Sequence, residues 1–292
     1  MENSHGIWKY PDHPYAGRTA VLATKHGKLP LIGPILEESI GLKVIDVEVD
    51  TDVLGTFTGD VERRQSPLET AIAKARMGMR FTGETLGLAS EGSIGPDKSI
   101  PFFISDEEIV VLVDDLSKLI VWESNTSFDI VKASVTVSPG DALDTFLAEA
   151  EFPSHLLIVR PNSGATRPIW KGIDDLEVLK TAIDECAAAD KDGLALVQTD
   201  LRAHACPSRQ KIILGAAERL AARLMARCPQ CKSPGWGETG KVFGVPCSWC
   251  GTQIQRPRAI IRGCPSCDFR LIEPISDSQE KADPGECPVC NP

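Results

Sequence analysis

The chain has 292 residues, 42% of them hydrophobic and 25% charged, with a formal net charge of −10. That composition excludes a disordered polymer, and no apolar run approaches the roughly 18 residues needed to span a bilayer. The acidic balance argues against the nucleic-acid backbone as main partner. The start of the chain carries no basic residues ahead of an apolar stretch, so no secretory signal is read and a cytoplasmic location is expected.

In chain order, Thr19 to Thr24 reads as a buried strand, Leu31 to Ile40 as a helix and Leu42 to Val49 as a second strand. After a glycine-containing loop, Ser66-Pro-Leu-Glu69 has the signature of a capping box: a hydroxyl cap, proline in the first turn and a carboxylate three residues on. Leu68, Ile72, Ala75 and Met79 follow at helical spacing, predicting a helix to about Arg80. Leu86 to Ala89, Ile109 to Val113, Leu119 to Trp122 and Ala133 to Val137 read as a meander of four strands, turning at Asp114-Asp115. Helices are expected at Asp141 to Ala150, Asp175 to Ala189 and about Ser208 to Ala226, with strands at His155 to Val159 and Leu194 to Gln198. This alternation predicts an α/β domain over residues 1–226, a mixed sheet with helices on its faces.

Residues 227–292 differ in kind. They hold eight Lys or Arg and seven Asp or Glu, so the acidity lies in the body. Eight of the ten cysteines fall there in four Cys-x-x-Cys frames: Cys228/Cys231, Cys247/Cys250, Cys264/Cys267 and Cys287/Cys290. Two residues between thiolates let the backbone wrap one ion, and two such knuckles complete a tetrahedral sulfur site, so four predict two structural zinc ions in a double zinc ribbon. With spacers of 15, 13 and 19 residues, sequential pairing, first knuckle with second and third with fourth, is favoured over a crossed scheme because it closes short loops. Arg256, Arg258 and Arg262 with Trp249 make the ribbon a candidate surface for nucleic acid or a protein partner. Cys186 and Cys206 read as small apolar residues.

Polar clusters in the body fall where strands end or helices begin, the usual ligand-binding places of α/β sheets. Thr24-Lys-His-Gly-Lys28 offers a hydroxyl, a glycine and cations after the first strand. Glu69 borders the buried stripe of its helix, with Lys74 five residues on, and Ser90-Glu-Gly92 interrupts a strand with a carboxylate. Two carboxylates from separate elements, Glu69 and Glu91, are expected to form a magnesium site facing a phosphate. Asp200, Arg202, His204 and Arg209 crowd the junction before the last helix.

The order Val21-Leu-Ala-Thr24 with Lys28, Glu69-Thr-Ala-Ile-Ala-Lys74-Ala-Arg76, then Leu88-Ala-Ser-Glu91-Gly92 resembles the inosine triphosphate pyrophosphatase superfamily and its non-canonical purine NTP phosphatase branch, over roughly the first 140 residues. The resemblance implies an elongated α/β fold with a central cleft, binding a nucleoside triphosphate with magnesium and releasing pyrophosphate. By position it implies that Thr24 and Lys28 grip phosphates, Glu69 and Glu91 hold magnesium, and Lys74 contacts the triphosphate. His204 and Arg209 are similar to the base-contacting Ser-His-Arg of that family. The chain departs from the pattern at His26, at Thr70 in place of asparagine, and at Ser90-Glu91 in place of a paired acidic motif. The competing reading is a noncatalytic protein that binds nucleic acid or a protein through its ribbons. Neither reading fixes the oligomeric state.

Overall fold

The computed structural model describes residues 11–24, 27–49, 65–97, 99–163, 165–275 and 281–292. Lys25 and His26 of the first cluster, and the expected loop at 50–64, lie outside them.

The first lobe opens with β1 (Thr19–Ala23), α1 (Leu29–Ile40), β2 (Lys43–Val47) and α2 (Pro67–Thr82), followed by the long strands β3 (Leu86–Pro96), β4 (Ile104–Asp114) and β5 (Leu119–Ser127). They form one five-stranded sheet in the order β2-β1-β3-β4-β5, parallel among β2, β1 and β3 and antiparallel from β3 to β5. Alternation along the central strands sorts the core onto two faces. Leu22, Leu88, Val110 and Leu112 point to the side where Ile32 and Leu36 of α1 pack. The same side takes Ile213 and Leu220 of α5 (Pro207–Met225). Val21, Ala89, Val111 and Val113 point the other way, against Ala71, Ala75 and Met79 of α2.

The second lobe is built from β6 (Ser134–Val137), α3 (Asp144–Glu149), β7 (Leu157–Pro161), β8 (Trp170–Ile173), α4 (Leu176–Ala189) and β9 (Ala195–Thr199). Its four-stranded sheet runs β6-β9-β7-β8, antiparallel throughout. One face is sealed by α4 and by Phe146 of α3. The expected four-strand meander is therefore corrected. Three strands form it, and residues 133–137 leave it to pair with β9 instead. Strand β8 was not expected, and the helix placed at Asp141 begins at Asp144 because the Asp141 carboxylate closes a turn on the Ser138 amide at 2.8 Å.

The tail is a three-stranded antiparallel sheet of β10 (Gly237–Pro246), β11 (Gln253–Gly263) and β12 (Arg270–Pro274). No helix among the described residues is long and apolar enough to cross a membrane.

Candidate functional site

Strands β3 and β4 outrun β1: β1 meets β3 only at Val21–Gly87 and Leu22–Leu88, whereas the β3–β4 ladder continues to Pro96 and Ile104. On this overhang, Glu91 of β3 and Asp106 and Glu108 of β4 carry carboxylates into the interior, at 3%, 0% and 0% exposure. Cations reach them from three other elements. Lys74 of α2 donates to Glu91 Oε2 at 2.6 Å. Lys28, which precedes α1, donates to Ser90 Oγ at 2.8 Å and lies 3.6 Å from Glu108 Oε2. Arg209, in the first turn of α5, donates Nε to Glu108 Oε1 and Nη1 to the carbonyl of Leu201. These groups lie on both faces of the overhang: Glu91 turns with Ala89 toward α2 and Lys74, whereas Glu108 and Asp106 turn with Val110 toward Lys28 and Arg209, and Lys28 feels the charge of both groups.

The electrostatics follow from burial and pairing. Glu108 is fully buried, which by itself raises a carboxyl pKa; Lys28 and Arg209 more than offset this and hold it below the ordinary value. For Asp106 the pull of Arg209 and Lys28 is too weak to do the same. Neither of its oxygens has a hydrogen-bond partner among the described residues, and burial, with Glu108 adding repulsion, pushes its pKa up to about 7. Gly92 faces Glu108 across the ladder, and a Cβ there would press into the Glu108 carboxylate and the Arg209 guanidinium. Glycine is what lets the pair close.

Of the body residues singled out in sequence, Lys74 and Glu91 pair on the α2 face of this overhang, and Lys28 and Arg209 meet Glu108 on the other. Glu69 joins neither group. Its carboxylate accepts from the Ser66 amide at 2.9 Å and the Ser66 hydroxyl at 2.8 Å, completing the capping box at an exposed helix start. The expected Glu69/Glu91 magnesium pair is not formed: one carboxylate serves a helix cap and the other an ammonium group. Thr24 follows β1 with its amide on the carbonyl of Val47, and His204 sits exposed on a short 3-10 turn at Ala203–Ala205.

Three residues were missed. Asp106 and Glu108 continue the alternation of Val110 and Leu112 outward along β4, and the run Ser105-Asp-Glu-Glu108 directly before five apolar residues was the available signal. The histidine that ties the second lobe to α5 is His155, not His204. Buried, its Nε2 lies 3.0 Å from Ser208 Oγ and accepts the Ser208 amide at 3.1 Å, which places its proton on Nδ1, 3.4 Å from Glu151 Oε2.

In the tail the cysteines gather into two tetrads, Cys228/Cys231/Cys264/Cys267 and Cys247/Cys250/Cys287/Cys290. The favoured sequential pairing is thereby overturned in favour of the crossed one. Strand length is the reason. The ten residues of β10 span about 30 Å and hold the first and second knuckles at opposite ends of the ribbon. Gly237 pairs with Gly263, which delivers the third knuckle beside the first, while Cys247 bridges Ala282 and so brings the fourth knuckle to the second.

The sulfur positions test the fit to zinc. Cys228–Cys267 and Cys231–Cys264 are 3.8 and 3.6 Å apart, as are Cys247–Cys290 and Cys250–Cys287. A tetrahedron with metal–sulfur bonds of about 2.3 Å has edges of about 3.8 Å, whereas a disulfide would be about 2.05 Å. Each tetrad fits one zinc ion with every position filled by protein, a closed structural site. Thr252 prepares one knuckle: its hydroxyl and amide bring Cys250 down to about 6, favouring the thiolate. Among the described residues no further group of three or more Cys, His, Asp or Glu side chains is gathered for a metal. Arg256 and Arg262 are engaged with Glu286 and Glu273 at 3.1 and 2.6 Å, so they form no open basic cluster, while Trp249 is 79% exposed.

Fold and site define a mixed α/β protein with buried charged groups at the joint of its two lobes and a tail of two zinc-compatible tetrads. The chain belongs to the family described as Domain of unknown function (DUF6671), whose model matches residues 74–292. No curated protein and no solved structure matches it.

Proposed function

We propose that the body binds a nucleotide at the joint of its two lobes and that the tail is a zinc-stapled module supporting it. One observation carries this reading. Four side chains singled out in four separate stretches of sequence, Lys28, Lys74, Glu91 and Arg209, are drawn to one overhang of the sheet beyond the end of the parallel strands, Lys74 with Glu91 on one face and Lys28 and Arg209 with Glu108 on the other. Such ends are where α/β sheets bind ligands.

The activity this supports best is release of pyrophosphate from a nucleoside triphosphate. Water attacks the phosphorus next to the ribose, the bond to the departing pyrophosphate breaks, and the proton of the attacking water passes to a carboxylate. Glu91 is the candidate acceptor for that proton, and Lys74 the cation that offsets charge on the leaving group. Glu69 has no part in this scheme.

Purified protein incubated with ITP, XTP, dUTP and the ordinary triphosphates in magnesium buffer, with pyrophosphate assayed, tests it. Turnover that disappears in Glu91→Gln is expected. Absence of both binding and turnover for every triphosphate rules the reading out. The noncatalytic alternative, docking of a protein on the ribbon, is favoured by the exposure of Trp249, Phe243 and Ile272.

A further inference from the structure

Among the described residues, α4 and α3 pack on one face of the second-lobe sheet. Leu157, Val159, Ala195 and Val197 turn toward α4, so the residues between them turn to the opposite face. Register places four of these in one row across the sheet: Ser134 opposite Gln198, Gln198 opposite Ile158, and Ile158 opposite Lys171. At about 4.8 Å between strands, the row is roughly 15 Å long.

Two cavities open over it, of about 230 and 320 Å3, and they share Ile158 and Gln198. Together they make one groove of the size that takes a small ligand.

Its charge is arranged at the two ends. Near the joint stand Lys132 and Arg202; Arg202 spends Nε and Nη2 on Asp200 and keeps Nη1. At the far end stand Arg160 and Lys171 with Thr166 and Ile169. Asp200, the acid in the lining of these cavities, is already bonded to Arg202, and Lys132, Arg160 and Lys171 are in no ion pair among the described residues. The middle is uncharged: an amide, a hydroxyl and an isoleucine floor. In a chain of net charge −10, such a groove selects an anion by charge complementarity.

A ligand with phosphate at one end leaves the other cationic end unmatched. We propose that this face binds a nucleotide phosphorylated at both ends, its 5′ phosphates toward Lys132 and Arg202 and a second phosphate, on the ribose 3′ oxygen, between Arg160 and Lys171. The base and ribose then lie over Ile158 within reach of Gln198 and Ser134. This goes beyond the nucleotide reading, because the groove is a second site that shares no residue with Lys28, Lys74, Glu91 or Arg209. Unlike Lys28, Lys74 and Arg209, which each lie against a buried carboxylate, Lys132, Arg160 and Lys171 stand at the groove outside any ion pair among the described residues.

Calorimetric titration of the full chain with adenosine 3′,5′-bisphosphate and adenosine 5′-monophosphate, and with the corresponding guanosine pair, tests the inference. For at least one base the bisphosphate is expected to bind about tenfold tighter or more, a preference that vanishes in the double variant Arg160→Glu/Lys171→Glu. Both residues are exposed, so the variant keeps its thermal melt and zinc content, which are measured alongside. Equal affinity of the two nucleotides, a preference that survives the double variant, or no binding of either overturns the proposal. Turnover of a triphosphate without any bisphosphate preference would leave the pyrophosphatase reading standing while the groove falls. A bisphosphate preference without turnover of any triphosphate would do the reverse.

Discussion

Arg209 of α5 donates its Nε to the Glu108 carboxylate of β4, joining residues 101 apart in the chain with both side chains almost wholly removed from water. Removing one partner strands the other charge. Arg209→Met is expected to cost about 3–5 kcal/mol in denaturant unfolding, and Arg209→Met/Glu108→Met to recover most of that loss. A single variant as stable as the wild type would mean that water reaches Glu108.

The same pair depends on Gly92, which leaves room where any side chain would collide. Gly92→Ala is expected to destabilise by about 1–3 kcal/mol, although alanine normally favours the folded state over glycine. An unchanged or raised unfolding midpoint would show that the ladder yields at little cost.

Asp106 gives the fold a pH dependence of definite sign. Its pKa is about 7 in the folded chain against an ordinary 3.8, so between these values the native state holds a proton that the unfolded chain has released. Stability contributed by this group is therefore lost as pH rises from about 4 through about 7, on the order of a few kcal/mol at most. Asp106→Asn removes that slope and raises the melting temperature most at about pH 8. A variant whose melting temperature follows the wild-type pH curve would count against this assignment.

The crossed knuckles give a direct count. Elemental analysis of the wild type is expected to find two zinc ions per chain, given the two tetrads. Cys228→Ser/Cys264→Ser damages one tetrad and keeps one ion, whereas Cys228→Ser/Cys247→Ser damages both and keeps none. Sequential pairing would give the opposite result. Chelation is expected to unfold the tail, whose apolar core is only a handful of residues around Val245 and Ile254.

What the sequence by itself determined was local in origin. The Ser66/Glu69 capping box, the stripe of Leu68, Ile72, Ala75 and Met79, and the four Cys-x-x-Cys knuckles depend on contacts a few residues apart, which a reader of the chain can enumerate. Lys28, Lys74, Glu91 and Arg209 were legible as polar residues at element ends. Only the tertiary structure decided that Lys74 pairs with Glu91, that Lys28 and Arg209 meet on Glu108 with Asp106 beside them, and that Glu69 serves a helix cap. It also decided that Ala133 to Val137 crosses to the second sheet and that the first knuckle joins the third. Each of these is a choice between partners far apart in the chain, settled by strand length, register and the exclusion of water from buried charge, none of which a local pattern records.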